Sequence, residues 1–306
     1  MKALRVINDE GPYLGIVVPN AFEMNPLLHS SSFAANEKFP FFDFAGRRFR
    51  IGKVGTEKIV LVMTGLGMLN AGLATQLLIS LFNIRGVLHY GIAGNANPSL
   101  QIGDRSGDGP NNELSLESNG DYTRKIGYLM ISNYTVVADG KRSMKSVDNL
   151  LNNVWYQPEE IFRADGTPEA RKHAFWVPVD ISYFNLAKNL EGVKLGKCIN
   201  STTCLPREPV VKRVSKGCSA SVFVDNAAYR QFLYSKFDVT PIDMESSAVA
   251  LVCNQQKKAF ITIRALSDLA GGGPAMSNEV TLFDSLATQN AVDVAVKFVA
   301  LISRRV

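Results

Sequence analysis

Between Lys58 and Tyr90 a strand, a glycine turn, a helix and a second strand follow in that order. This order commits the chain to a sheet with helices laid against it. Lys58–Thr64 is an apolar run of strand length, broken by Gly65-Leu66-Gly67. Leu69, Leu73, Leu77, Leu78 and Leu81 then recur at helical spacing as far as Phe82. On this pattern Gly86 ends the helix. Val87–Tyr90 is the next strand and closes in a turn at Gly91-Ile92-Ala93-Gly94.

The flanking chain extends the α/β pattern. Leu14–Val18 is a buried strand, and Phe49–Val54 pairs with Lys58–Thr64 across Gly55-Thr56-Glu57. Asn95 to about Gly120 is polar and glycine-rich and is expected as loop. Tyr128–Ala138 is expected as strand, Gly140 to Asp180 as irregular chain and Asp180–Leu190 as helix. Val222–Val224 is expected as a short strand, Asn226–Lys236 as a helix and Glu279–Ser303 as a long amphipathic helix. No repeat, heptad run or linker divides the chain, so residues 1–306 are expected to form one domain.

Charge and motif content exclude several function classes. The net charge of +5 is spread thinly: Lys212-Arg213, Lys257-Lys258 and Arg304-Arg305 are short runs without interleaved aromatics. That argues against a nucleic-acid partner. The longest apolar stretches, such as Ile59–Met63 and Ala248–Cys253, are too short to cross a membrane. His29, His89 and His173 stand apart, with no metal-ligand spacing and no Gly-x-Ser-x-Gly elbow, so neither metal nor cofactor is expected. The N-terminal MKALRVINDEGPYLG lacks a signal-peptide core, which points to the cytoplasm unless the chain is a mature form. Cys198 and Cys204 flank the loop INSTT, and Asn200-Ser201-Thr202 and Asn133-Tyr134-Thr135 are glycosylation acceptor patterns, which point to secretion. The compartment is left open.

The chemistry concentrates near the C-terminal end. Ser246–Gln255 has the small apolar face of a packed helix, and Ala259–Ala265 (AFITIRA) is a buried strand that ends at Ser267-Asp268. Glu245 and Asp268 thus stand at the two ends of a helix-then-strand unit. Two acids facing one crevice suit a sugar hydroxyl and a proton delivery, the requirements for breaking a glycosidic bond. The same residues equally suit a helix cap at Asp243 and a surface turn at Asp268. Gly65-Leu66-Gly67 and Gly91–Gly94 follow successive strands and together suggest one ligand crevice.

In this order LGIVVPNAFE, TGLGMLNAG, YGIAGNAN, SVFVDNAA, IDMESSAVA and IRALSDLA resemble the nucleoside phosphorylase and nucleosidase superfamily over nearly the whole chain. HYGIAGNANPSL, NGDYTRKIGYL, WYQPEE, HAFWVPVD, INSTTCLPR and SVFVDNAAYR look closest to its plant bark storage and wound-inducible storage group. That group also includes phosphorylase-like enzymes acting on adenosine-type and cytokinin ribosides. The resemblance implies a three-layer α/β sandwich whose central, twisted, mixed sheet is flanked by helices. It implies cleavage of the N-glycosidic bond of a purine nucleoside through an oxocarbenium-like state, or a catalytically weak or inactive storage role. It also implies a homodimer or dimer-based oligomer.

Residue by residue, the resemblance makes Asp268 the acid on the base nitrogen, with Ser267 beside it in the substrate site. Glu245, with Met244, would hold the ribose hydroxyls. Phe223 would pack on the base and Val224 would offer backbone contacts. Glu23 would position an attacking water, and Gly65, Gly67, Ala93 and Gly94 would line the ribose and nucleophile side. Phosphorolytic relatives carry an arginine and a serine or threonine where this chain has His89 and Ile92. Isoleucine has no donor and histidine is mostly neutral at pH 7, so inorganic phosphate as co-substrate loses its usual ligands. Relatives also continue after Ile102-Gly103-Asp104 with another core strand, where this chain runs into Arg105-Ser106-Gly107-Asp108-Gly109-Pro110. The sheet is therefore expected to be short of that strand.

Overall fold

A computed structural model describes residues 2–100, 105–108, 158–272 and 280–304. In chain order the first half holds α1 (Lys2–Asp9), β1 (Tyr13–Val18), α2 (Ala21–Leu28), β2 (Phe33–Ala35), β3 (Phe41–Phe44), β4 (Arg47–Val54), β5 (Glu57–Met63), α3 (Met68–Leu81), β6 (Ile84–Asn95) and β7 (Arg105–Asp108). After it come β8 (Glu159–Ile161), β9 (Lys172–Ala174), α4 (Ile181–Ala187), β10 (Val211–Val214) and β11 (Cys218–Ser219). The chain closes with α5 (Ala227–Phe237), β12 (Pro241–Asp243), α6 (Ser246–Gln255), β13 (Ala259–Leu269) and α7 (Val280–Ser303).

The main sheet runs β10-β7-β13-β6-β1-β5-β4-β2. Its centre, β13-β6-β1-β5, is parallel, while β4 and β7 pair antiparallel with β5 and β13. Parallel strands are buried on both faces, which is why YLGIVV reads as an unbroken apolar run. Alternation divides the side chains between two layers. Leu14, Ile16, Leu61, Leu88, Tyr90, Ile261 and Ile263 pack against α7 residues such as Val292, Ala295 and Phe298. Val17, Val60, Val62, Val87 and Phe260 face the other way, onto α3 and α6 through Ala71, Ala74, Leu78 and Val249. The result is the helix–sheet–helix sandwich expected. Phe283–Ser303 within α7 is long and apolar enough to span a membrane by length and composition, but much of it is buried against the sheet.

Several local expectations need correction. The helix α3 stops at Leu81 and Phe82 is already extended, so Gly86 lies inside β6, opposite Leu14 and Ala259. The run Gly91–Gly94 is not a turn: β6 continues to Asn95 because β13 pairs with it that far and β12 joins at Gly94 and Asn95. Residues 222–224 form no strand. The polar stretch after Asn95, expected as loop, contains β7, whose backbone pairs antiparallel with β13 and so covers its edge. The irregular region before Asp180 includes the small β8–β9 ladder. Tyr128–Ala138 and Asn133 lie outside the described residues. Cys198 and Cys204 form a disulfide, and Asn200 is exposed at the tip of its loop.

Candidate active site

The carboxyl ends of β1, β6 and β13 converge with the N-termini of α2, α3 and α6, and the polar side chains collect there. At the centre is Arg264 on β13, fully buried. A buried guanidinium must be surrounded by acceptors, since it is always charged. Its Nε lies 2.6 Å from Asp243 Oδ2, and Nε and Nη2 donate to Ser246 Oγ at 3.2 and 3.0 Å. Nη2 also donates to His89 Nε2. Glu245 Oε2 lies 3.8 Å from Nη2, and Glu23 Oε1 lies 4.0 Å from Nη1.

Three buried acids around one arginine acquire different proton affinities. Burial raises Glu23 to about 7, against the attraction of Arg264 and the Ile92 N–H, which donates to Oε1 at 2.7 Å. Its Oε2 is buried without a hydrogen-bond partner among the described residues. Burial also raises Glu245, opposed by Arg264 and by the Gly67 N–H at 2.9 Å. Asp243 is pushed upward by burial, but Arg264 and the hydroxyls of Ser219 and Ser246 hold it below the usual range. Asp243 Oδ1 also accepts from the N–H groups of Glu245 and Ser246, so the helix cap and the functional cluster are one feature.

Local sequence explains how these groups arrive. Asn20 caps α2 by accepting from the Glu23 N–H, which places Glu23 in the first turn, directly after β1. Gly65 and Gly67 have φ of 83° and 93°, a backbone that L side chains rarely adopt, and so aim the Gly67 N–H at Glu245. A Cβ at Gly91 would lie 2.3 Å from both Arg264 Nη1 and Glu23 Oε1, so this glycine makes room for the pair. In β13 the register slips between Leu266 and Asp268, and this bulge sets Asp268 opposite Gly94. Ser267 Oγ donates to Asp268 Oδ1 at 2.7 Å and reaches Ala93 O at 3.3 Å.

Beside the acids is a cleft lined by Gly94, Val222, Phe223, Val224, Ile242, Asp243, Met244, Asp268 and Ala270. The structure thus gathers Asp268, Met244, Phe223, Val224 and Gly94 at one cleft, with Ser267 and Ala93 behind Asp268. Glu245, Glu23, Gly65 and Gly67 stand on the adjoining side. Two candidates are placed differently. His89 is fully buried behind Arg264, and the Ile92 side chain packs into the α7-side core, contributing only its backbone to the site. Sequence reasoning missed the roles of Arg264, Asp243 and Ser246. A charged residue inside AFITIRA was the available signal, since arginine is almost never fully buried unless paired.

The fold and this cluster define an α/β protein with a carboxylate-rich crevice at the strand ends. The chain belongs to the phosphorylase superfamily, whose family model matches residues 13–105 and 121–300. It is 31% identical to bark storage protein B of Populus deltoides over 288 residues, covering 94% of this chain and 88% of that protein. It is 24% identical to a 5'-methylthioadenosine/S-adenosylhomocysteine nucleosidase of Staphylococcus haemolyticus, covering 80% of this chain and 83% of that protein. Among solved structures, futalosine hydrolase of Helicobacter pylori shares the fold with TM-score 0.62 at 19% identity, covering 99% of this chain and 100% of that one. The 5'-methylthioadenosine/S-adenosyl homocysteine nucleosidase of the same organism gives TM-score 0.61 at 19% identity, covering 95% and 98%.

Proposed function

We propose that this chain hydrolyses the N-glycosidic bond of a purine-type nucleoside. The observation that carries the reading is Glu23: a buried carboxyl beside Arg264, raised to about 7, with one oxygen unpartnered among the described residues. A base with that affinity is matched to activating water near neutral pH. The cleft offers a base the apolar side chains of Phe223 and Met244 beside the carboxyl of Asp268. As the bond from sugar C1' to the base nitrogen breaks, its electron pair leaves with the base and Asp268 supplies a proton. Glu245 holds the ribose hydroxyls while the sugar carries positive charge. Water then adds to C1' and gives its proton to Glu23. Two acids in opposite protonation states serve the two ends of the bond.

Water is favoured over inorganic phosphate because the two positions that would hold phosphate are closed. His89 presents an acceptor to Arg264, and Ile92 presents an apolar side chain to the core. We further propose a homodimer through α3, where Leu66, Leu69 and Leu73 are 57%, 77% and 54% exposed beside the Gly67 turn. A second reading, a storage role with little or no turnover, draws support from the 31% identity to a bark storage protein.

The deciding assay is release of free base from adenosine, inosine, 5'-methylthioadenosine and a cytokinin riboside, with and without phosphate, beside Asp268→Asn. Phosphate-independent release that disappears in the variant supports hydrolysis. Strict dependence on phosphate overturns the choice of water, and no release from folded protein leaves the storage role.

A further inference from the structure

His89 has no path to a ligand, yet its ring is held at both nitrogens. Nδ1 lies 2.9 Å from Val17 O on β1. A carbonyl only accepts, so Nδ1 carries the proton. Nε2 faces Arg264 Nη2, which only donates. The ring is therefore neutral, with its lone pair directed at the guanidinium.

The contacts of Arg264 are uneven in a telling way. Asp243 grips Nε at 2.6 Å, and that contact alone would let the planar group pivot. Ser246 Oγ, which accepts from Nε and Nη2 at 3.2 and 3.0 Å, and His89 Nε2, which accepts from Nη2, together remove the pivot. Nη1 lies 3.5 Å from Ile92 O and 4.0 Å from Glu23 Oε1. Gly91 keeps that corner open.

We infer that His89 is a positioning residue: its Nε2 lone pair, anchored through Val17, turns Arg264 so that Nη1 lies beside Glu23. The guanidinium then supports the ionised Glu23 that activates water. This rests on the hydrolytic reading for its catalytic consequence but not for the geometry. The other ionisable groups acting on Glu23 are Asp243 and Glu245, which oppose its ionisation, and its backbone accepts from Tyr90 Oη. None of these contacts His89 Nε2, so removing the ring nitrogen acts on Glu23 through Arg264.

The test is a carboxyl-¹³C glutamate titration of Glu23, assigned with Glu23→Gln, in wild type, His89→Leu and His89→Gln. Imidazole ¹⁵N shifts of wild type and kinetics of base release accompany it. The glutamine amide oxygen replaces the Nε2 acceptor, whereas leucine offers none. The expected wild type shows the Nδ1-protonated tautomer, unchanged from roughly pH 5 to 8. In His89→Leu the Glu23 midpoint rises by about one pH unit, a tenfold loss of the ionised form. Its kcat falls by about 10- to 100-fold with KM within about twofold, and His89→Gln recovers most of both. A Glu23 midpoint unmoved in folded His89→Leu overturns the inference. So does an Nε2-protonated or charged imidazole in wild type, a result that needs no variant to fold. If wild type releases no base, the hydrolytic reading fails while the titration and tautomer still decide the role of His89.

Discussion

Replacing Glu23 by glutamine is expected to remove activity and to flatten the stability profile of the protein near neutral pH. Glu23 moves from 4.5 in a solvated chain to about 7 in the fold, chiefly by burial. Its folded affinity for the proton exceeds the unfolded one, so protonation favours the folded state. That stabilisation is fully present below pH 4.5 and is lost as pH rises through about 7. The displacement corresponds to about 3 kcal/mol. Glutamine keeps an oxygen for the Ile92 N–H but places an amide where Oε2 has no partner, at a cost of about 1–3 kcal/mol. That cost does not vary with pH, so it cancels when each protein is compared with itself. Denaturant unfolding of both proteins from roughly pH 5 to 8 should show wild type losing about 2–3 kcal/mol more than the variant. Equal pH dependence would refute the argument that burial of this carboxyl is what tunes it.

Other perturbations probe the same cluster. In wild type kcat/KM for base release should rise with pH through about 7 if the ionised Glu23 is the base, as proposed; a rate independent of pH there would remove it from that role. Arg264→Met strands Asp243, Glu23 and Glu245 without their shared cation and should cost about 3–5 kcal/mol in chemical denaturation, whereas a loss within error would show that the acids do not depend on it. Gly91→Ala puts a methyl into the gap between Arg264 and Glu23, with an expected cost of about 1–3 kcal/mol and depressed turnover; wild-type behaviour in both would contradict the close approach. Leu69→Asp with Leu73→Asp should convert a dimer to a monomer in sedimentation, and an unchanged mass would move the interface away from α3.

Much of the architecture was legible in the chain because parallel strands and packed helices leave distinct periodicities. YLGIVV, AFITIRA and the leucines of α3 needed no tertiary information, and the acids Glu23, Glu245 and Asp268 stood out beside them. Other features depend on partners distant in sequence. Gly91–Gly94 looks like a turn until β13 pairs along it and β12 joins at Gly94, and β7 is a strand because β13 has an edge to cover. Whether Asp243 is a cap or a site residue cannot be read from its neighbours, since Arg264 reaches it from 21 residues further along the chain. The same holds for His89, whose identity suggests a ligand and whose placement makes it an acceptor for an arginine 175 positions away. Periodicity and residue type are local quantities, so the sequence by itself determined the layers and the inventory of acids. Desolvation and charge pairing are set by what surrounds each group in space, so only the tertiary structure decided which acid keeps its proton.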